Sequence, residues 1–276
     1  GCIFNCSFCN VPSITSKFRI KARKKFAQEI IMVQKKYKTE YIELADSILN
    51  NSANDFRELS KEIINLRKHN DIDLRLICFY RLRKRKYMSE IDFKLASEAG
   101  FKRFKIGFES GSYDVRKHIG KTEDNDDLFF CLEMCLKYNI KVNLLLIVGY
   151  VNETRELFEQ TLDVLKKIRS LDLDLAIEMV VVNELYISNF TRLHKMADDL
   201  NINIYPDEDR DKYNWDRLLP DGQVLNKKVR MDRIIEVNSY VKTHFRGTRN
   251  LLTFSHFEKK SDYILGSSSK ENNDPS

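Results

Sequence analysis

From Arg23 onward the chain keeps returning to one alternation: a stripe of apolar side chains at helical spacing, then a short apolar run bounded by polar or turn residues. Phe26, Ile30, Val33 and Tyr37 form the first stripe and lead to the run 41–45; Phe56, Leu59, Ile63 and Leu66 lead to 74–80. A third helix opens on Ser89-x-x-Asp92, the spacing of a capping box, ends at Gly100 and precedes the run 104–108. Leu128, Leu132, Cys135 and Leu136 then lead to 142–148, and Phe158, Leu162, Leu165 and Ile168 to 175–182. Apolar recurrence every three to four residues marks a helix buried on one side, and a short apolar run between turn residues marks a buried strand. Helices alternating with such strands satisfy both patterns as βαβ units, a parallel sheet with helices packed against it. One further strand directly before Gly1 would make six such units, so the fold class read here is α/β, followed by a C-terminal extension.

In parallel barrels the loops at the C-terminal ends of the strands converge on one mouth, and chemistry collects there. A strand before Gly1 would place the first nine residues, Gly1-Cys2-Ile3-Phe4-Asn5-Cys6-Ser7-Phe8-Cys9, in such a loop. Three thiols in the spacing Cys-x3-Cys-x2-Cys sit too close for three separate disulfides but can converge on one soft metal centre, and cysteine thiolates are the ligands of iron–sulfur clusters. Clusters that only carry electrons usually have four cysteines; three leave one iron open for chemistry. Zinc or plain structural thiols are the bland alternatives, although no suitable fourth ligand follows nearby for zinc. A myristoylation signal is excluded, since it requires Ser or Thr where Asn5 stands. Because the chain starts at Gly1, inside this loop and without an initiator Met, it reads as a fragment with an upstream part missing.

The loop, with the aromatic Phe8 directly before Cys9, resembles the cluster loop of the radical S-adenosylmethionine (SAM) enzymes. The resemblance implies a radical SAM-type partial (β/α)6 TIM-like barrel, its first strand missing before Gly1, in which Cys2, Cys6 and Cys9 hold a [4Fe-4S] cluster. It also implies a reducing electron donor such as a flavodoxin or ferredoxin. The segment Gly107-Phe108-Glu109-Ser110-Gly111-Ser112, followed by Ile119-Gly120-Lys121, is similar to a run in the cobalamin-associated and methylthiotransferase-like branches. There it implies Glu109, with Ser110 beside it, as a SAM contact. Asp46, at the end of the run 41–45, corresponds to the segment that meets the SAM amino group, while a turn-capping role is equally open. Gly149, Glu153 and Thr154 match a Gly-Leu-Pro-Gly-Glu-Thr turn that lines the adenine, with Val151 and Asn152 in place of Pro-Gly. Asn152 is expected to keep that turn through a left-handed backbone. Thr154 also suits the N-cap of the next helix. SAM contacts are thus expected at Phe8, Asp46, Glu109, Ser110 and Gly149.

Two basic segments, 17–25 and 81–86, read either as solvated loops or as sites for a phosphate or RNA. Asn143 and Glu178 interrupt apolar strands and must be paired or functional. Cys78, Cys131 and Cys135 lie in apolar surroundings and read as buried thiols. The formal net charge of +6 over 276 residues permits a polyanionic partner without demanding one. No apolar run approaches membrane-spanning length, so no membrane partner is expected and the thiols read as reduced and cytoplasmic.

The organisation expected is a radical SAM core over 1–182, an extension of unassigned role over 183–265 and a disordered tail over 266–276. The expected function is reductive SAM cleavage for modification, possibly methylation, of an unknown small-molecule substrate. Cobalamin is possible through a missing upstream domain. A tRNA-modifying methylthiotransferase-like enzyme and a non-catalytic iron–sulfur or zinc protein are the alternatives.

Overall fold

The computed structural model describes residues 1–15, 17–206, 212–248 and 250–252. The expected tail 266–276, and residues 253–265 of the expected extension, lie outside them. The chain runs α1 (Val11–Ile14), α2 (Arg23–Tyr37), β1 (Ile42–Leu44), α3 (Ala53–Asn70), β2 (Leu76–Phe79), α4 (Glu90–Ala99) and β3 (Phe101–Glu109). It continues α5 (Tyr113–Ile119), α6 (Asn125–Lys137), β4 (Lys141–Val148), α7 (Arg155–Ser170), β5 (Ile177–Glu184), β6 (Ile187–Ser188) and α8 (Arg192–Lys195). The last elements are β7 (Asn203–Pro206), β8 (Lys212–Leu218), β9 (Val224–Leu225), α9 (Lys227–His244) and β10 (Asn250–Leu252).

Strands β1, β2, β3, β4, β5 and β10 form one parallel sheet in that order. The local signals hold. Ser89 and Asp92 close a reciprocal capping box on α4, and Thr154 caps α7 by accepting from the Leu157 N–H. Along β3, Phe101, Phe104, Ile106 and Phe108 turn to the helices and are buried, while Arg103, Lys105, Gly107 and Glu109 fall on the opposite face. The concave face is correspondingly polar: Lys105 pairs with Glu43, and Arg103 with Glu178. Cys78, Cys131 and Cys135 are fully buried in the main core.

The boundary read at residue 182 divides elements that share this sheet. Ile234, Val237 and Val241 of α9 enter the main core, and β10 extends the sheet beyond β5. What interrupts the core is the described residues 185–206 and 212–226, which form a small antiparallel sheet of β6, β7, β8 and β9 with α8. This insertion builds a second core around Trp215, 0% exposed, with Leu185, Ile187, Leu193 and Tyr150.

Candidate functional site

The nine-residue loop and the β3 and β4 strand ends meet on one side of the sheet. Cys2, Cys6 and Cys9 are free and half-buried. The Cys9 N–H donates to the Cys6 carbonyl at 3.0 Å, which folds the second and third thiols into one turn. Phe4 N–H donates to Cys2 Sγ at 3.4 Å. Burial pushes the Cys9 thiol pKa up; the Val11 N–H opposes this, and Cys6, Cys2 and Glu109 add to it. The three thiols and the Glu109 carboxylate therefore share one electrostatic neighbourhood.

The donor set, three thiols within nine residues and no histidine among them, is that of an iron–sulfur cluster, in which each thiolate takes a separate iron.

Ser7, between the second and third thiols, anchors the loop. Its N–H donates to the Ile119 carbonyl at 2.9 Å, its carbonyl accepts from the Leu193 N–H at 2.8 Å, and its hydroxyl lies 2.6 Å from Tyr150 Oη. Tyr150 Oη is also 3.1 Å from His118 Nδ1. Burial pushes the Tyr150 phenol up to about 12, and burial with Arg217 and Arg192 pushes His118 down, so this chain of groups is neutral at physiological pH. Phe8 packs against the second core.

At the end of β3, Glu109 has a left-handed backbone, φ 73°, where the strand register breaks. Its buried carboxylate accepts from Lys121 Nζ at 2.6 Å, and Lys121 also reaches the Gly107 carbonyl. A Cβ on Gly107 would stand 2.4 Å from Glu109 Oε1, so the carboxylate lies where only glycine leaves room. The Ile-Gly-Lys run that the sequence singled out thus supplies the counterion of the strand-end glutamate. Ser110 turns away from the mouth; its hydroxyl meets Thr161 Oγ1 at 3.2 Å and accepts from Ser112 N at 3.1 Å.

At the end of β4, Gly149 takes φ 70°, and a Cβ there would meet Arg230 Cγ at 2.4 Å. Asn152 is not left-handed; Gly149 alone supplies that conformation in the turn, which corrects the expectation for Asn152. The Gly149 N–H donates to Glu153, whose buried carboxylate accepts from Arg233 at 2.9 Å. Burial pushes Glu153 up to about 7 against the pull of Arg233. Asp46 is exposed just past β1, in a groove of about 140 Å³ lined also by Gly1, Phe18, Arg19, Arg23 and Leu49. It therefore stands beside the start of the cysteine loop.

In the basic run 81–86, Arg81 and Arg83 are tied into the fold, whereas Lys84, Arg85 and Lys86 are exposed. Arg81 Nη1 donates to Cys6 Sγ at 3.6 Å, and its Nη2 to both oxygens of Glu123 at 3.1 and 3.2 Å. Arg83 donates to the Asn50 and Asn51 carbonyls, and the Arg85 guanidinium lies 4.8 Å from the Phe130 ring centre. Glu178 is paired with Arg103, whereas the buried Asn143 Oδ1 has no partner. Sequence reasoning missed Ser7 and Glu123; it placed Arg81 in a basic run and Lys121 in a quoted motif without assigning either its partner.

The sequence profile of the radical SAM superfamily matches residues 1–165. The chain belongs to the radical SAM superfamily. This family of enzymes uses a [4Fe-4S] cluster and SAM, and its partial TIM-like barrel is the parallel sheet described above. Among solved structures, the radical SAM chain resembles the methyltransferase TsrM from Kitasatospora setae, solved with cobalamin and a [4Fe-4S] cluster, at TM-score 0.64 and 16% identity. That match covers 75% of this chain and 41% of TsrM. The cobalamin-dependent radical SAM enzyme OxsB, solved with aqua-cobalamin and SAM, matches at TM-score 0.63 and 14% identity, over 89% of this chain and 40% of OxsB. SuiB from Streptococcus suis follows at TM-score 0.54 and 8% identity, over 97% of this chain and 51% of SuiB. At these identities the likeness is one of fold. The chain spans about two fifths of the length of TsrM and OxsB. No curated protein matches it in sequence, and no helix among the described residues is long and apolar enough to cross a membrane.

Proposed function

We infer that this chain is the SAM-cleaving core of a cytoplasmic enzyme that modifies a small molecule. The observation that carries the reading is the turn that folds Cys6 and Cys9 together and ties them, through Ser7, to Ile119 and Tyr150 beyond the β3 and β4 strand ends, in a chain that matches the radical SAM profile over 1–165. Cys2, Cys6 and Cys9 are the cluster ligands, and Phe8, Asp46, Glu109, Ser110 and Gly149 frame SAM. Bound there, the cluster and SAM supply one-electron cleavage of the sulfonium, with the electron coming from a flavodoxin or ferredoxin.

The chain's own residues hold that chemistry in place. Ser7 fixes the loop to α5, α8 and Tyr150 through three hydrogen bonds. Lys121 neutralises Glu109 and fixes the direction in which its carboxylate is presented to hydroxyl donors. Ser110 contributes through the shape of the strand end, since its hydroxyl is bound at α7. Gly149 lets Arg230 close over the β4 turn. The fold shared with the methyltransferase TsrM makes methyl transfer the first reaction to test, with cobalamin, which both TsrM and OxsB hold, carried by a region outside this chain. A small molecule is favoured over tRNA because Arg81 and Arg83, the two cations of the run nearest the cysteine loop, are engaged within the fold, while Lys84, Arg85 and Lys86 remain exposed.

The test is anaerobic reconstitution with iron and sulfide, followed by EPR of the reduced cluster with and without SAM. A [4Fe-4S] signal that changes on adding SAM and is lost in Cys6→Ala is the expected result. A protein that holds zinc, or a cluster indifferent to SAM, overturns the reading.

A further inference from the structure

Arg81 stands apart from the other cations of its run. It follows β2 by two residues, and Asn50 clamps its backbone on both sides: Arg81 N–H donates to Asn50 Oδ1 at 2.7 Å, and Asn50 Nδ2 donates to the Arg81 carbonyl at 2.8 Å. The guanidinium lies 4.0 Å from the Phe4 ring centre, inside the cysteine loop. One edge is held by the two oxygens of Glu123, and the adjacent nitrogen donates to Cys6 Sγ. Glu123 is itself fixed, since the buried Arg116 donates to its carbonyl at 3.0 Å and to the Ser110 carbonyl at 2.6 Å. Both side chains of the Arg81–Glu123 pair are 9% exposed. Arg81 Nε is buried without a partner. Leaving a buried donor unpaired is costly, so the guanidinium is not placed to maximise its own hydrogen bonding. What its placement secures is a permanent cation against one sulfur of the three-cysteine loop.

Resting on the assignment of Cys6 as a cluster ligand, we propose that Arg81 sets the reduction potential of the cluster, with Glu123 as the counterweight. A cluster gains one negative charge when it takes up an electron. A hydrogen bond and a positive charge at a ligand sulfur favour that more negative state, and removing them favours the oxidised one. Glu123 does two opposing things. It holds the guanidinium in place and offsets its charge. Arg81 is a positioning and tuning residue and touches the ligand rather than the reacting atoms. The design lets the protein adjust the driving force for electron uptake without altering the ligand set.

The measurement is the midpoint potential of the reconstituted cluster, titrated with dithionite in the absence of SAM and followed by EPR. Arg81→Gln is expected to shift the reduction equilibrium about tenfold toward the oxidised form, about 59 mV lower for a one-electron couple. Glu123→Gln, which leaves the cation uncompensated, is expected to move it the other way. Arg81→Lys keeps the charge but not the fork and is expected to fall between wild type and Arg81→Gln, so the inference stays testable if Arg81→Gln assembles no cluster. Unchanged potentials in Arg81→Gln or Arg81→Lys, or shifts of the same sign in Arg81→Gln and Glu123→Gln, overturn the tuning role. So does an unchanged potential accompanied by weakened SAM binding, which would make Arg81 a SAM contact. If wild-type protein itself builds no [4Fe-4S] cluster, the cysteine assignment fails instead, and the two failures cannot be confused.

Discussion

The protein has two hydrophobic cores built on different rules. The main core, between the parallel sheet and its helices, is made of fully buried side chains such as Phe56, Phe101, Phe104 and Leu144, in which Phe104 stacks on Tyr80 with ring centres 4.3 Å apart. The second core, around Trp215, is smaller and is stitched with buried charge. Arg230, 0% exposed, donates to Glu184, to the Trp215 carbonyl and to Asn214 Oδ1, and lies 4.3 Å from the Trp215 ring centre. Arg233 beside it holds Glu153 and Gln223. The second core is also the one that Cys6 and Phe8 pack against. Area burial can stabilise a fold without fixing fine geometry, whereas buried charge pairs and hydrogen bonds are directional. The division is that the main core supplies stability, while the second core, built jointly by α5, the β4 turn, the insertion and the start of α9, supplies the position of the cysteine loop.

The largest effects should separate the two cores. Phe104→Ala empties a site in the main core and is expected to cost about 3–5 kcal/mol, felt throughout the sheet. Arg230→Ala leaves Glu184 buried beside an apolar gap and is expected to cost a similar 3–5 kcal/mol, but locally. Amide hydrogen exchange reads the distinction. In Arg230→Ala, protection should fall in β6, β8 and β9 and in the cysteine loop while β3 and β4 keep theirs. Uniform loss of protection in Arg230→Ala would show that the two cores are one cooperative unit.

A smaller effect should appear with pH. Burial raises the Glu153 carboxyl to about 7 in the folded protein, so the folded state keeps a proton that the unfolded chain has already released. Stability is then greatest below the ordinary carboxylate range, falls as pH rises toward about 7, and levels off above it. The full swing is on the order of 3 kcal/mol for a rise from the usual value of 4.5 to about 7. Glu153→Gln keeps a hydrogen-bonding group of the same shape and should flatten that slope in denaturant titrations between pH 5 and about 7. A slope unchanged in the variant would assign it to another group and leave Glu153 ionised by Arg233.

How much of this was legible depended on how local the signal was. The helices and strands of the main core follow from apolar periodicity within 8 to 18 residues, and the cysteine spacing is contained in the first nine. Helix α5 was overlooked, although Val115 and Ile119, four apart, are the two apolar side chains it buries. Strands β6 and β9 are two residues each, too short for alternation to register. Trp215 sits in a charged stretch yet is wholly buried, because its indole N–H reaches the Leu185 carbonyl 30 residues away. Arg81 looked like one charge in a basic run. Its partners, Glu123 and Cys6, lie 42 and 75 residues off in sequence. Asp46 and Glu109 could be named from the strand ends, but the pairing of Glu109 with Lys121 needed the fold.

The finest distinction concerns the loop itself, where Ser7 is held twice by backbone and once by its hydroxyl. Tyr150→Phe removes only the phenolic oxygen and leaves the Ser7 hydroxyl buried without its partner, a cost of about 1–2 kcal/mol. Ser7→Ala removes the other half, and His118 remains as a partner for Tyr150. The double variant leaves neither group stranded and should be less destabilised than the sum of the two, a coupling that thermal unfolding of all four proteins measures directly. The bonds from Ser7 N–H to Ile119 and from Leu193 N–H to the Ser7 carbonyl are untouched in every case. Iron and sulfide content after reconstitution should therefore stay at the wild-type level even as the melting temperature drops. Cluster loss in Tyr150→Phe at a temperature where the protein is still folded would mean that the hydroxyl, not the backbone, holds the cysteines in place. The second core would then act on the metal site through a single neutral hydrogen bond, while its buried charges served only the insertion.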